Sequence, residues 1–318
     1  MESQIVKNNN KILIVLYVLI ALLIISIILL VVLPLTLVRD VNSSRQSLIM
    51  NKNILPKPLT KKYTTDTALR LADVAYAAYF AFFDSETMFK WLNFSELNLT
   101  DVLQFYDNNT EITGLIANIE IPDKILIAFT GTQAINLPET ILDDLDIGLI
   151  PFPPTGGQVS KGFYDSWIGV QNYILHRINN STKEVWLSSH SLGGAVATLA
   201  GAAIKNIYPN IKVIIYSFAS PRVGDEQFSY GFSRLGIYSN RIQNSKDIIP
   251  RLPFNDFLGY VHVKTLILLC EPLNNGTITC TYNAKSPDNY IYNPFDWPRE
   301  HSLITYMNII STCKVCYN

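Results

Sequence analysis

The sequence predicts an α/β protein with a mostly parallel central sheet and helices on both faces, preceded by a single N-terminal transmembrane helix. Strand-like apolar runs alternate with helix-like segments from about Thr64 onwards, which is typical of parallel sheets joined by helical crossovers. One serine stands on a sharp turn between such a strand and such a helix. A long uncharged apolar run lies near the N-terminus. The first two observations predict the layered domain, and the third predicts the membrane segment.

The N-terminal apolar run has the length of a membrane-spanning helix. Ile12 to Val38 contains no charged side chain and lies between Lys11 and Arg39. A bilayer core of about 30 Å needs about 20 apolar residues in a helix. The apolar part of a cleaved signal peptide is normally about 7–15 residues, and a core helix would carry more polar residues. We therefore interpret residues 12–38 as a single-pass signal anchor after a short tail, residues 1–11.

A spacer and one large domain follow the apolar run. Residues 39–63 are rich in Asn, Ser, Lys and Pro, a composition typical of a stem. Residues 64–318 form the predicted domain. The 318-residue chain has a net charge of −1, and it contains no basic block larger than Lys61-Lys62. Such a charge distribution argues against a nucleic-acid partner.

The side of the membrane on which the domain lies is indicated by two conflicting patterns. Basic residues after the apolar run weakly favour a cytosolic domain. Glycosylation sequons, which favour export, all follow the apolar run, at Asn42, Asn93, Asn98, Asn108, Asn179, Asn180 and Asn275. We expect a membrane protein of the secretory pathway with a lumenal or extracellular domain. Secretion after signal cleavage is the alternative.

The cysteines also favour an oxidising compartment. All four are near the C-terminus, and two pairs allow three connectivities. Cys270 and Cys280 flank Asn275-Gly276, a hairpin turn signal, so a disulfide across this hairpin is a candidate pairing. A zinc site would need two close pairs, whereas only Cys313 and Cys316 are close in sequence. We expect no metal.

The helices and strands of the domain follow from the spacing of apolar residues. Leu69, Ala72 and Tyr76 recur at helical spacing, and Pro122-Asp123 is a turn signal between two strands. The predicted helices are 66–82, 161–178, 195–204, 225–235 and 301–310. The predicted strands are 111–120, 124–129, 184–188, 212–218, 238–243 and 260–269.

The most informative segment is Ser189 to Gly194, between a predicted strand and a helix of small residues. A serine on a sharp strand-to-helix turn is the nucleophile elbow of the α/β-hydrolase fold. The strained turn needs small residues two positions before and two positions after the serine, because they come close to each other. Gly193 meets this requirement, and Ser189 stands where glycine is usual. Ser191 is therefore the candidate nucleophile.

Five further segments resemble, in order, the class 3 (fungal-type) lipase family of the α/β-hydrolase superfamily, over about Thr64 to Asn318. They are Ile127–Thr132, Val159–Trp167, Ser217–Asp225, Asn244–Pro253 and Glu300–Tyr306. Thr130 departs from the family pattern, in which arginine is usual. The resemblance implies a serine hydrolase that needs no cofactor.

A nucleophilic serine needs a histidine base, and in this fold the order along the chain is serine, acid, histidine. His176 precedes the serine and is expected on the surface, and we expect His190 to point away from Ser191. His262 lies in a predicted strand and could be a packing residue. We favour His301, because it lies at a junction between a loop and a helix.

The candidate acid is Asp247, because it directly follows a predicted strand. Asp225 is an alternative in chain order, but it is expected to cap the next helix. Asp256, Asp288 and Asp296 lie in loop-like sequence, where solvated turn aspartates are usual.

The developing oxyanion needs about two preorganised donors. One is the backbone N–H of Leu192, which follows the nucleophile. The resemblance implies that Thr132 supplies the other. By position, residues 133–150 resemble the family's lid, although an ordinary surface helix would show the same mixture of apolar and acidic residues.

These observations together predict a serine hydrolase of lipid esters, such as triacylglycerol or a related acylglycerol, that works through an acyl-enzyme. The expected partners are the lipid ester, the lipid–water interface and the membrane that holds the N-terminal helix. The alternatives are a catalytically silent lipid-binding module, and an acyltransferase or phospholipase on the same fold.

Overall fold

A computed structural model describes residues 59–131, 146–253, 258–270, 279–282, 284 and 297–317. All of them belong to one compact unit, Pro56–Asn318. The predicted N-terminal tail, the predicted anchor at residues 12–38 and most of the predicted stem lie outside the described residues. Within the described ranges, no helix is both long and apolar enough to cross a membrane.

A nine-stranded sheet is the centre of the described part of the chain. Its strands are β1 Leu99–Tyr106, β2 Thr113–Ile119, β3 Ile121–Phe129, β6 Glu184–His190, β7 Lys212–Phe218, β8 Tyr238–Asn244, β9 Leu266–Cys270, β10 Thr279–Tyr282 and β11 Lys314–Tyr317, in that spatial order. Strands β3, β6, β7, β8 and β9 are parallel neighbours. Antiparallel pairing adds β2 and β1 beyond β3 and β10 beyond β9, and the edge strand β11 is parallel to β10. A separate small sheet pairs β4 Leu149–Pro151 with β5 Gln158–Ser160.

Helices cover both faces of this sheet. They are α1 Thr65–Ala78, α2 Ser85–Phe94, α3 Lys161–Leu175, α4 Leu192–Ile207, α5 Glu226–Arg234, α6 Trp297–His301 and α7 Leu303–Thr312. Side chains of a strand alternate between its faces. On β6, Val185 and Leu187 belong to the apolar cluster that α3 and α4 cover. The Ser188 hydroxyl instead donates to the Leu71 carbonyl of α1 at 2.6 Å, on the opposite face. The predicted layered architecture is confirmed.

Several predicted boundaries were wrong. The first helix ends at Ala78 rather than residue 82, and α2 and β1 were not predicted. The tight turn between β2 and β3 is at Glu120, whose φ is 58°. Pro122 lies in the register shift that follows this turn, where Asn118 pairs with Ile125. Such a bulge accommodates a proline, which cannot donate to the ladder of hydrogen bonds. Pro122-Asp123, which was predicted as the turn, therefore lies at the bulge.

The candidate disulfide between Cys270 and Cys280 was also wrong, because Cys280 is bonded to Cys313. In the antiparallel pair of β9 and β10, Cys270 stands opposite Thr279, whereas Leu269 stands opposite Cys280. The two cysteines are thus one residue out of register, and a one-residue shift exchanges the two faces of a strand. Cys313 directly precedes β11, which pairs with β10.

Candidate active site

Ser191 forms the sharp turn between β6 and α4, with φ 58° and ψ −131°. A positive φ is strained for any residue with a side chain, and such strain is concentrated at functional sites. A Cβ at Gly193 would lie 2.3 Å from the Thr130 carbonyl oxygen and 2.7 Å from the Phe129 carbonyl oxygen. The close approach that requires glycine is therefore made to the end of β3. The predicted close approach of Gly193 to Ser189 is therefore wrong.

Ser189 departs from the family pattern without strain. It is an ordinary residue of β6, paired with Phe129 on one side and Ser217 on the other. Its backbone is not in the positive-φ region. Its buried hydroxyl has no hydrogen-bond partner among the described residues. A serine fits here because the backbone makes no demand that only glycine could meet.

The structure brings Ser191, His301 and Asp247 together. The Nε2 atom of His301 is 2.8 Å from the Ser191 Oγ atom, and its Nδ1 atom is 2.9 Å from the Asp247 Oδ2 atom. Asp247 is fully buried and follows the carboxyl end of β8. With the Nδ1–H donated to the carboxylate, Nε2 is the acceptor that faces the serine hydroxyl. This is the arrangement that a serine nucleophile and its base require.

Tyr306 was missed by the sequence analysis, and it holds the carboxylate in place. Its hydroxyl donates to the Asp247 Oδ2 atom at 2.8 Å and accepts the Asn244 N–H at 2.9 Å. Burial, followed by the charge of Asp247, raises the pKa of Tyr306 well above its ordinary value, so the hydroxyl keeps its proton. The Ile249 N–H donates to the other carboxylate oxygen at 3.0 Å. Asp247 is thus oriented by three donors.

Glu300, which directly precedes the histidine, ties the histidine loop to the end of β8. Its Oε2 atom accepts a hydrogen bond from the Asn244 side chain at 2.9 Å, and the same side chain donates to the Glu300 carbonyl at 3.0 Å. Its Oε1 atom forms an ion pair with Arg299 at 2.8 Å. Nothing in the spacing of the sequence identified Asn244 as the partner, because 56 residues separate it from Glu300.

The alternative residues that the structure describes, His262, His176 and Asp225, have other partners. His262 hydrogen-bonds through Nε2 to the Pro250 carbonyl, and burial together with Arg241 and Arg222 lowers its pKa. His176 is exposed at the end of α3. Asp225 caps α5 by accepting the Phe228 N–H at 2.7 Å, as predicted. The alternative acids Asp256, Asp288 and Asp296 lie outside the described residues.

The structure describes only one of the two predicted oxyanion donors. Leu192 is the first residue of α4, so its N–H has no partner within the helix and lies at the positive end of the helix dipole. Thr132 lies outside the described residues, as does the predicted lid up to residue 145. Gly131, the residue before Thr132, is described. A Cβ added to it would be 2.6 Å from the Ser191 Cβ atom, so the end of β3 lies against the nucleophile.

The prediction that His190 points away from the site is wrong. Its ring centroid is 4.7 Å from that of His301.

Among the described residues, no group of three or more His, Cys, Asp or Glu side chains is arranged to hold a metal ion.

Lipases of known sequence are similar to this chain. A family model for lipases of class 3 matches residues 126–257, which include Ser191 and Asp247. A lipase of Rhizomucor miehei is 29% identical over 192 residues, which are 58% of this chain and 51% of that protein. The secreted mono- and diacylglycerol lipase A of Penicillium cyclopium is 29% identical over 197 residues, or 59% of this chain and 62% of that protein. The chain thus spans between half and two thirds of these relatives.

Solved structures share the fold. The triacylglyceride lipase of Rhizomucor miehei matches with a TM-score of 0.54 and 24% identity, over 64% of this chain and 78% of that one. Lipase II of Rhizopus niveus matches with a TM-score of 0.57 and 21% identity, over 75% of this chain and 94% of that one. The chain is thus similar to the class 3 lipases in sequence across the serine elbow and shares the fold of these solved lipases.

Proposed function

We propose that this protein is a serine hydrolase of lipid esters, with acylglycerols as its substrates. The observation that carries the proposal is the continuous hydrogen bonding from Asp247 through His301 to Ser191, at 2.9 Å and 2.8 Å. The names of the relatives support the substrate class, since they include a triacylglyceride lipase and a mono- and diacylglycerol lipase. The strained backbone of Ser191 supports its role as the nucleophile.

In the proposed mechanism, the Ser191 Oγ atom attacks the ester carbonyl while His301 Nε2 takes its proton. Asp247 stabilises the resulting imidazolium and keeps the ring in the productive tautomer. The tetrahedral intermediate then breaks the bond to the leaving alcohol, which takes the proton from His301. Water attacks the acyl-enzyme with His301 again as the base, and the fatty acid leaves as Ser191 regains its proton. No cofactor enters these steps.

The oxyanion of the intermediate needs donors that are in place before the reaction. We assign this role to the Leu192 N–H, because it is free of intrahelical bonds at the start of α4. Thr132 is the proposed second donor, because it follows Gly131, whose backbone lies against Ser191. Residues 133–150 are the proposed lid over the acyl groove.

The decisive experiment treats the full chain, in detergent or in its membrane fraction, with a fluorophosphonate probe, and then offers it a panel of lipids. We expect one covalent adduct, mapped to Ser191 by peptide mass spectrometry, and release of fatty acid from acylglycerols. The absence of both would favour a silent lipid-binding module. An adduct with acyl transfer to an added alcohol, but little fatty acid, would favour an acyltransferase. Faster release from phospholipids than from acylglycerols would favour a phospholipase.

We further propose that residues 12–38 anchor the chain and that the domain is lumenal or extracellular. Five sequon asparagines are exposed in the described part of the domain: Asn93, Asn98, Asn108, Asn179 and Asn180. The Cys280–Cys313 disulfide also favours an oxidising compartment.

Expression in a eukaryotic secretory system tests this topology. We expect the full-length chain to remain in the membrane fraction, to shift on a gel after deglycosylation and to resist external protease in sealed microsomes. Digestion from the cytosolic side without a glycan shift would reverse the orientation. A soluble product that starts after Val38 would show that the segment is a cleaved signal.

A further inference from the structure

A chain of hydrogen bonds connects the catalytic histidine to the end of β3 through two residues that the proposed mechanism does not use. The Nε2 atom of His190 is 2.8 Å from the carbonyl oxygen of His301. The Nδ1 atom of His190 is 2.7 Å from the Tyr79 hydroxyl, and that hydroxyl accepts the Gly131 N–H at 2.8 Å. His190 is only 5% exposed.

The partners determine which nitrogen of His190 carries its proton. A carbonyl oxygen can only accept, so Nε2 must be the protonated atom that donates to His301. Burial, followed by the charge of His301, lowers the pKa of His190 well below its ordinary value, so the ring is neutral and Nδ1 is an acceptor. The Tyr79 hydroxyl donates to this acceptor. Burial raises the pKa of Tyr79, so the hydroxyl keeps its proton for this bond.

We propose that Tyr79 and His190 are positioning residues that hold the Gly131 peptide and the His301 backbone at a fixed separation around Ser191. The four-residue chain Gly131–Tyr79–His190–His301 is called the relay below. This inference rests on the proposed ester hydrolysis, in which Thr132 is an oxyanion donor.

The relay lies against the nucleophile, so a change in its geometry should change the reaction rate. A Cβ at Gly131 would be 2.7 Å from the Tyr79 hydroxyl and 2.6 Å from the Ser191 Cβ atom, so this backbone cannot shift without changing its distance to the nucleophile. A small misplacement of a preorganised donor lowers the rate strongly.

The neutrality of His190 also matters, because His301 becomes an imidazolium during the reaction. The titratable groups that face His190 are Tyr79, His301 and Tyr306, whose ring is 6.5 Å away. None of the three is an acid that would favour a charged His190 at neutral pH. A neutral His190 therefore adds no opposing charge beside the imidazolium.

The kinetic test compares Tyr79→Phe with the matched control Tyr76→Phe on the same helix. Tyr76 packs against the rings of Tyr79, Phe80 and Trp91, and its hydroxyl is not part of the relay. We expect Tyr79→Phe to lower kcat about 10–100-fold with little change in KM, since partners that orient a reactive group typically contribute this much. We expect Tyr76→Phe to retain the wild-type kcat.

Coupling between the residues is tested with His190→Phe and the double variant. Residues that act as one unit show losses that are not additive. We expect Tyr79→Phe to reduce kcat much less in the His190→Phe background than in the wild-type chain. Independent, multiplicative losses would overturn the relay, as would a Tyr79→Phe variant with the wild-type kcat.

A second measurement does not depend on activity. Long-range ¹H–¹⁵N NMR of the full chain labelled with [¹⁵N]histidine reports the tautomer of each of the four histidines, and His190→Phe assigns the signal. We expect an Nε2–H tautomer that does not titrate over about pH 6–8, the range around the ordinary histidine pKa of about 6.5. Tyr79→Phe should shift the Nδ1 resonance.

An Nδ1–H tautomer, or titration in this pH range, would overturn the relay even in an active enzyme. A chain that shows the expected tautomer but neither hydrolyses esters nor reacts with fluorophosphonate would overturn the proposed function and leave the hydrogen-bond relay standing. The two failures are therefore distinguishable.

Discussion

Ser191→Ala is expected to abolish both ester hydrolysis and fluorophosphonate labelling. The change removes the only atom that can form the acyl-enzyme in the proposed mechanism, and the loss of a serine nucleophile typically lowers kcat by about 10⁶-fold. The fold should remain, because the hydroxyl of Ser191 contacts His301 while its backbone N–H still donates to the Phe218 carbonyl at 2.9 Å. Fatty-acid release and gel fluorescence of the labelled chain measure the effect.

Ser189→Ala is the matched control for this experiment. Ser189 lies two residues earlier on the same strand, and its buried hydroxyl has no partner among the described residues. Its removal should leave hydrolysis and labelling near the wild-type level. Robust hydrolysis by the Ser191→Ala variant would show that another residue is the nucleophile, and equal losses in both variants would indicate damage to the turn rather than to the chemistry.

His301→Ala should reduce kcat nearly as much as Ser191→Ala, because triad members act as a unit and the loss of the histidine alone costs about as much as the loss of all three. Without the imidazole, the Ser191 hydroxyl has no base within hydrogen-bond reach among the described residues, since the Nε2 atom of His301 is the one that lies 2.8 Å from it. Fluorophosphonate labelling should slow in parallel, because phosphonylation needs the same activation of the hydroxyl.

His262→Ala is the comparison that separates the two candidate histidines. His262 is bonded to the Pro250 carbonyl rather than to Ser191, so its removal should reduce stability more than catalysis. Steady-state kinetics and thermal unfolding of both variants test this assignment. If His262→Ala were the inactive variant and His301→Ala the active one, the base would be His262 and the proposed mechanism would fail.

The sequence alone was sufficient for the fold class and for the residue types at the candidate site. The strand Glu184–His190 and the small-residue helix after it could be read from local spacing, because a buried strand and a nucleophile elbow impose strong local requirements. Asp247 and His301 were selected by chain order and by their places after a strand and before a helix. Chain order and position next to a strand or helix are local signals. With four histidines in the chain, few residues compete for the role of the base.

The strands at the edges of the sheet could not be predicted from local spacing. Strand β1 is exposed or half-buried except at Phe105 and carries Asp101 and Gln104, so its composition does not distinguish it from a loop. Strands β10 and β11 are four residues each, too short for a periodic pattern. The disulfide partner of Cys280 depended on the register of these strands, which a spacing of cysteines in the sequence does not contain.

What the sequence by itself determined is the α/β class of the domain and the presence of a serine between a strand and a helix, because each rests on interactions between residues close along the chain. Only the tertiary structure decided that Tyr306 orients Asp247, that Asn244 holds Glu300, and that His190 lies beside His301 rather than away from it. The physical reason is sequence separation. The bonds of His190 to Tyr79 and to His301 each join residues 111 positions apart. Hydrogen-bond partners at such distances are chosen by the packing of helices on the sheet, and no local pattern encodes that packing.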